Sequence, residues 1–423
     1  MNVVIMAVGS TGDVFPFIGL GVGLKAAGHE VTVATQEIFA DAVREQGLAY
    51  RSVPGDMKAL LNGAPGAAWR NARSVLAAGN AQMHLATLIQ DDLAVGVRAA
   101  ATGADALLAN YVAAGHAYMM SVSMGVPCMI LEAFPGIPTA EFLPAMLGTR
   151  SYGRWGNRTL ARLVERMKTP VDAGVADFQR SLGQPTTGLA GLRAQMLADQ
   201  RLPFYHGYSP AIVRRPADWR PGMEVVGYWW PATTPGWQPP ATLTDFLDAG
   251  DPPVFVGLGS MGAGEGERMS EVATEALRLA GVRGIIQAGW AELSSTGDDV
   301  LTIGDAPHEW LFPRTAAVVH HAGAGTTAAG LRAGVPAVPV PVLGDQPFWA
   351  HRLVRTGVSP GAVPMRGITA QRLADAITRA VRGPAYRTRA EAVARQVRAD
   401  DGVARVVEAL KLMESGEPLT VLH

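Results

Sequence analysis

What most restricts the fold of this chain is a rhythm that runs through it twice: short, unbroken apolar runs separated by helical sequence. In the first half the runs are 3–8, "GHEVTVAT", "ADALLAN" and "GVPCMILEA". In the second half they are "PPVFVGLGS", "VRGIIQAG", "VLTIG", "AAVVHH" and "AVPVP", with helices expected around 268–280, 326–333, 346–356 and 369–382. A strand that is apolar at every position is buried on both faces, and strands joined by helices run parallel. The expected fold is therefore α/β, with two doubly wound parallel-sheet domains. At 423 residues the chain is also too long for one ordinary core. Between the halves, 203–242 is rich in proline and aromatic residues ("WWPATTPGWQPP") and keeps no period for long. Domains are accordingly placed at 1–208 and 243–400, with a connector over 209–242 and a C-terminal helical stretch, 401–423, crossing back to the first domain. Two such domains facing each other would leave a cleft lined by the carboxyl ends of both sheets, where ligands of open α/β sheets bind.

Composition narrows the partners. The formal net charge of −1 gives no sign of a nucleic-acid or anionic-membrane surface. The one cysteine, Cys128, rules out an intramolecular disulfide framework, fits a reducing cytoplasm and, inside the apolar run 126–131, reads as a packed core thiol. "MNVVIMAVGSTGD" lacks the basic segment of a signal peptide, and no run approaches the ~18 apolar residues of a membrane span. A soluble, cytoplasmic protein is expected.

The stretch "HHAGAGTTAAG" (320–330) joins a strand, a glycine turn and a helix start, which together make an anion site. His321 and Thr326 can add donors to a phosphate there. His320 and His321 point to opposite faces of a strand, so they are poor ligands for one metal, and His320 reads as packed core. "VFVGLGSMG" holds Gly257, Gly259 and Gly262 in the form of a dinucleotide fingerprint, with Glu271 and Glu275 as candidate ribose ligands. Ser260 in the same turn could equally serve a phosphate. In "LGDQPFWAHRL", Asp345 and Gln346 can grip neighbouring sugar hydroxyls, or Asp345 can cap a helix. In "AVGSTGDVFPF", Asp13 reads as a general base in the loop after the first strand, or as a helix cap. No D-x-D occurs, and no GxxxxGK[ST], which argues against a metal-dependent nucleotide-sugar enzyme and a P-loop ATPase.

Taken together, these stretches resemble the UDP-glycosyltransferase superfamily of GT-B fold, in its bacterial natural-product and sterol branch. The likeness runs over almost the whole chain, through "GSTGDVFPFIGLGVGLKAAGHEVTVAT", "PGIPTAEFLP" and "VVGYWW". It is strongest over "DAPHEWLFPRTAAVVHHAGAGTTAAGLRAGVPAVPVPVLGDQPFWAHRL". The resemblance implies that the C-terminal domain binds a nucleotide sugar through Ser260, His321, Gly323, Gly325, Thr326, Asp345 and Gln346. His308 and Ser10 are placed with these donor-binding residues. It implies an acceptor in the N-terminal domain and Asp13 as the catalytic base of an inverting transfer. His321 and the helix N-terminus would meet the leaving diphosphate without metal or other cofactor. Ala322 stands where the glycine-rich form "HHGGAGT" has glycine. Asp305 stands where plant relatives stack a tryptophan on uracil, which passes stacking to Trp290. Asn110 stands where histidine-base relatives carry an aspartate, which an aspartate base does not need.

The acceptor side is expected in 55–90 and 132–156, with Trp69, Met83, His84, Phe134, Phe142, Met146 and Trp155 as apolar or aromatic lining. Asn110 is grouped with them, and His84 or His116 could assist the base. The reading is a metal-independent inverting glycosyltransferase acting on a lipophilic hydroxylated acceptor, monomeric or a homodimer. UDP-glucose is favoured as donor, a dTDP-deoxysugar second. A dinucleotide-dependent oxidoreductase and a catalytically silent sugar-nucleotide-binding partner stay open beside it, as does transfer to carbon.

Overall fold

The apolar runs form strands because only parallel pairing between helix layers hides every side chain at once. The computed structural model describes residues 1–72, 74–233, 236–259, 266–289, 292–295, 297 and 299–417. Its first sheet contains Asn2–Met6 (β1), Glu30–Thr35 (β2), Ala49–Ser52 (β3) and Ala106–Asn110 (β4). Cys128–Glu132 (β5), Phe204–His206 (β6) and Met223–Val225 (β7) complete it. The spatial order is β3-β2-β1-β4-β5-β6-β7, every pair parallel. The second sheet contains Val254–Gly257 (β8), Gly284–Gln287 (β9), Val300–Ile303 (β10), Ala317–His320 (β11) and Ala337–Pro339 (β12). Its order is β10-β9-β8-β11-β12, again parallel.

Counted within each sheet, both orders begin 3-2-1-4-5, so the same winding occurs twice. Alternate residues of β1 serve opposite cores. Val4 and Met6 pack with Leu93, Val97 and Phe178 on one face; Val3 and Ile5 pack with Phe17, Leu20 and Leu410 on the other. In the second sheet, Val254 and Val256 join Leu277 and Ile377, while Phe255 turns to Leu311 and Phe312.

The chain separates into two compact units. The first is Met1–Pro210 with Arg214–Pro235 and the segment from Asp401; the second is Gly236–Asp400 with Ala211–Val213. The stretch 209–242 is thus not a plain connector. It supplies β7, and Trp229 packs on Phe17 (ring centroids 5.6 Å) while its Nε1 donates to the Gly402 carbonyl at 3.2 Å. That contact needs a glycine at 402, where a Cβ would stand 2.5 Å from the Gly227 oxygen. In the C-terminal stretch the helix Gly402–Ser415 packs on the helix Thr11–Ala26 of the first unit, while the helix before it, Pro384–Ala399, belongs to the second. Cys128 is 5% exposed, and burial pushes its thiol up to about 12, which leaves it an inert core residue.

Candidate active site

In each sheet the strand order reverses between the first and fourth strands, and crevices for ligands form at the carboxyl ends there. In the second unit that point lies between β8 and β11, where Gly257 pairs with His320. The chain leaves β8 through Gly259 (φ 56°) and leaves β11 through His321. A Cβ at Gly259 would lie 3.0 Å from His321 Cε1, and one at Gly323 would fall on the His321 ring itself. Two glycines therefore form a slot that holds this imidazole. Gly323, extended at φ −65° and ψ 152°, is the N-cap of the helix Ala324–Ala333. The backbone N–H groups of the first turn have no intrahelical acceptor. A Cβ at Gly325 would meet nothing within 4 Å, so there is room in front of that turn.

Electrostatics leave this turn with neutral rings beside its free N–H groups, a set that can donate to an anion. Burial holds His321 at about 4 and His320 at about 3. Burial, helped by His321, holds His308 at about 4. All three rings are uncharged at neutral pH. His321 Nδ1 is buried without a hydrogen-bond partner among the described residues. His320 Nδ1 accepts the Ala322 N–H at 3.1 Å, so this ring braces the turn from within the core. His308 stacks on Phe312 (4.3 Å, 14°) and packs edge-on to Phe255, as part of the wall beneath His321. Ala322, fully buried, has φ 63°, the left-handed region that favours glycine.

Asp345 and Gln346 open the helix Gln346–Arg355 just beyond β12. Asp345 Oδ2 accepts from Trp349 Nε1 at 2.8 Å, and Gln346 Oε1 accepts from the Val342 N–H at 2.8 Å. These bonds fix both side chains and leave the Gln346 amide nitrogen as the end that can donate outward. Ser260, Gly262 and Trp290 lie outside the described residues. The dinucleotide alternative finds less support. Glu275 is on the surface of the helix Gly266–Ala280, paired with Arg278 at 2.7 Å, and Glu271 lies on the same helix. At the end of β9, where a ribose-binding acid would stand, is Gln287, bonded to Asp305 at 3.1 Å.

In the first unit the reversal lies between β1 and β4. Asp13 is not in a loop: Ser10 is the N-cap and Asp13 the third residue of the helix Thr11–Ala26. Its Oδ2 accepts the Ser10 N–H and hydroxyl, both at 2.8 Å, so the carboxylate closes the helix start and still sits at the crevice. Burial raises its pKa, partly offset by the Ser10 bonds. Gly9 (φ 141°) is required because a Cβ there would lie 2.6 Å from Asp13 Oδ2. Asn110, ending β4, donates to the carbonyls of Val8 (2.8 Å) and Asp13 (3.3 Å) and accepts from Ala113 N–H (3.3 Å). Its amide thus holds the turn that carries Asp13, with both Nδ2 bonds going to backbone carbonyls. Ser10 is committed to Asp13 in the same way. Gln36 Oε1 takes the Gly9 N–H at 3.4 Å, a support that the sequence reading missed.

The acceptor candidates scatter. Phe134, after β5, packs edge-on to Tyr111, after β4, with centroids 5.2 Å apart. Tyr111 immediately follows Asn110 and had no motif to mark it. Met83 is partly buried against the core of the first unit. Trp69 is half-buried on the helix Ala64–Arg70, and Phe142 and Met146 are half-buried in the segment that follows β5. His84 is exposed, His116 is buried against Phe178 (4.8 Å) with its pKa lowered to about 4 by burial, and Trp155 is exposed.

Comparison with known proteins gives the family and the fold. Residues 3–132 match the glycosyltransferase family 28 N-terminal domain, and 285–413 match the C-terminal domain of proteins like erythromycin biosynthesis protein CIII. The chain is 33% identical, over all of its length and 99% of the relative's, to the O-mycaminosyltylonolide 6-deoxyallosyltransferase of Streptomyces fradiae. It is also 33% identical over 97% of its length to a sterol 3-beta-glucosyltransferase of Arabidopsis thaliana, of whose length it spans 65%. Among solved structures, the glycosyltransferase of kitacinnamycin (19% identity, TM-score 0.70) covers 97% of this chain and 98% of its own. The glycosyltransferase VinC, in complex with dTDP (19% identity, TM-score 0.67), covers 98% of this chain and 100% of its own. These two show the shared fold.

Proposed function

We propose a donor, an acceptor class and a mechanism for this chain, which belongs to the UDP-glycosyltransferase superfamily of GT-B fold, in the branch of the sterol and macrolide glycosyltransferases. It transfers a hexose from a nucleoside-diphosphate sugar to a hydroxyl of a lipophilic, sterol-like or natural-product acceptor, with inversion at the anomeric carbon. The observation that carries the reading is the imidazole slot. His321 is wedged between Gly259 and Gly323, before a helix N-terminus with open space at Gly325. N–H groups and a neutral imidazole suit a diphosphate.

In this mechanism Asp13 takes the proton as the acceptor oxygen attacks the anomeric carbon on the face opposite the diphosphate. The raised pKa of a buried carboxylate makes it a better base for an alcohol than a free aspartate. Charge that grows on the departing diphosphate falls on His321 and the first-turn N–H groups, which are in place beforehand and need no reorganisation. We assign no metal to the step, since these donors are suited to an anion. Asp345 and Gln346 hold sugar hydroxyls, which favours a fully hydroxylated sugar and UDP-glucose. The macrolide relative, matched over its whole length, transfers 6-deoxyallose by its name and supports a dTDP-deoxysugar as the second reading.

The test is kinetic. Asp13→Asn should keep the affinity for the nucleoside diphosphate and lose turnover by about 10²- to 10⁴-fold. His321→Ala should weaken the donor as well, and NMR of the product should show inverted anomeric configuration. Wild-type turnover by Asp13→Asn would remove the assignment of the base.

A further inference from the structure

The helix Gly153–Glu165, between β5 and β6, carries an arrangement that no step of the transfer uses. Arg154, Arg158, Arg162 and Arg166 recur every fourth residue, and Trp155, Thr159, Leu163 and Met167 recur one residue later. At 100° per residue the members within Gly153–Glu165 form neighbouring rows along the helix, and Arg166 and Met167 follow just after its last residue. Asn157 and Ala161 are the buried side. Outward, all four arginines are exposed, as are Trp155 (82%), Leu163 (60%), Met167 (52%) and, just before the helix, Tyr152 (52%). With Arg150 and Lys168 the segment 150–168 holds six cations against one acid, Glu165, while the whole chain is −1. Glu165 is partly buried, with Arg162 beside it.

Folding alone does not call for this. A tryptophan and a leucine in water forgo the transfer energy that burial would return, and four arginines in a row repel one another. A nucleic acid would account for the cations but not for Leu163 and Met167. A bilayer interface accounts for both, because indole and aliphatic groups settle at the headgroup–acyl boundary while guanidinium groups meet lipid phosphates. Among the described residues no helix is long and apolar enough to cross a membrane. We propose that the outward face of 150–168 seats the protein on the surface of an anionic bilayer. Trp155, Leu163 and Met167 enter the boundary, and the arginine row lies on the phosphates.

Vesicle flotation tests this with the full chain. Vesicles of equimolar phosphatidylglycerol and phosphatidylcholine should carry the protein upward, pure phosphatidylcholine far less, and high salt should release it. Arg158→Glu with Arg162→Glu, and separately Trp155→Ser with Leu163→Ser, should each lower partition by about tenfold or more. UDP affinity, read on the same variants, reports that they are folded. Failure to bind the anionic vesicles, equal binding to the neutral ones, or binding undiminished in both variants would overturn the proposal. So would a Trp155-dependent dimer in sedimentation without vesicles, which would give the face to a second copy of the chain.

Discussion

One methyl group separates the turn after β11 from the glycine-rich form "HHGGAGT". Ala322 is held at φ 63° by the turn between β11 and the helix Ala324–Ala333, and its N–H is fixed on His320. An L-residue in that region carries about 1–2 kcal/mol of strain, and glycine carries none but gains freedom when unfolded. Ala322→Gly should therefore stabilise by roughly 1 kcal/mol or less, read as a shift of the urea midpoint; a loss of stability would mean that the methyl packs usefully. Asp13 has the opposite sign from an ordinary surface acid. Its folded pKa is raised, so its contribution is fully present below the unfolded value of 3.8 and lost as pH rises through the folded one. Asp13→Asn should thus raise Tm at neutral pH while slowing turnover, whereas a lower Tm would show that the Ser10 bonds outweigh desolvation. Asp13 and His321 stand out in the sequence as candidates because each lies shortly after a strand and next to glycines. Asn110, Ser10 and Gln36 were not legible as supports, because what they hold is backbone, which leaves no residue pattern.

At the scale of elements, three neutral histidines gather around one turn. The unfolded chain takes up their protons near 6.5, whereas the folded rings wait until about 4 for His321 and His308 and about 3 for His320. Folded values below the unfolded ones give stability that is present above 6.5 and lost as pH falls through 4. His320 also loses its bond from Ala322 when protonated. Protection factors over 317–333, taken against the intrinsic exchange rate at each pH, should fall from pH 6.5 toward 4.5, and His320→Asn should flatten that dependence. A pH-independent rate ratio would remove the account. Strands such as β4 and β5 were readable because both of their faces are buried. β6 and β7, three residues each at one side of the sheet, are too short to show a period, and β3 is the half-exposed "AYRS". The helix start at Thr11, before Asp13, follows from a cap at Ser10 that also looks like loop sequence.

For the whole molecule, the double rhythm was readable because each winding needs the same buried strands, and both sheets reverse where the rhythm predicts a ligand. Net charge is silent on distribution: −1 for the chain is a sum that includes the six cations of 150–168, which lie on and beside a helix with one buried side. The nucleoside base and the acceptor depend on residues spread over helices and connecting segments, where no fixed spacing survives. The central claim is a diphosphate bound at His321 in the slot that Gly323 forms. Calorimetric titration with UDP, dTDP and NAD in EDTA, on the wild type and on Gly323→Ala, tests it most directly. The account predicts that UDP or dTDP binds with EDTA present, that Gly323→Ala weakens this by about tenfold or more as the displaced imidazole loses its contact, and that NAD is silent. Binding of NAD alone, or UDP affinity indifferent to a Cβ at Gly323, would contradict it.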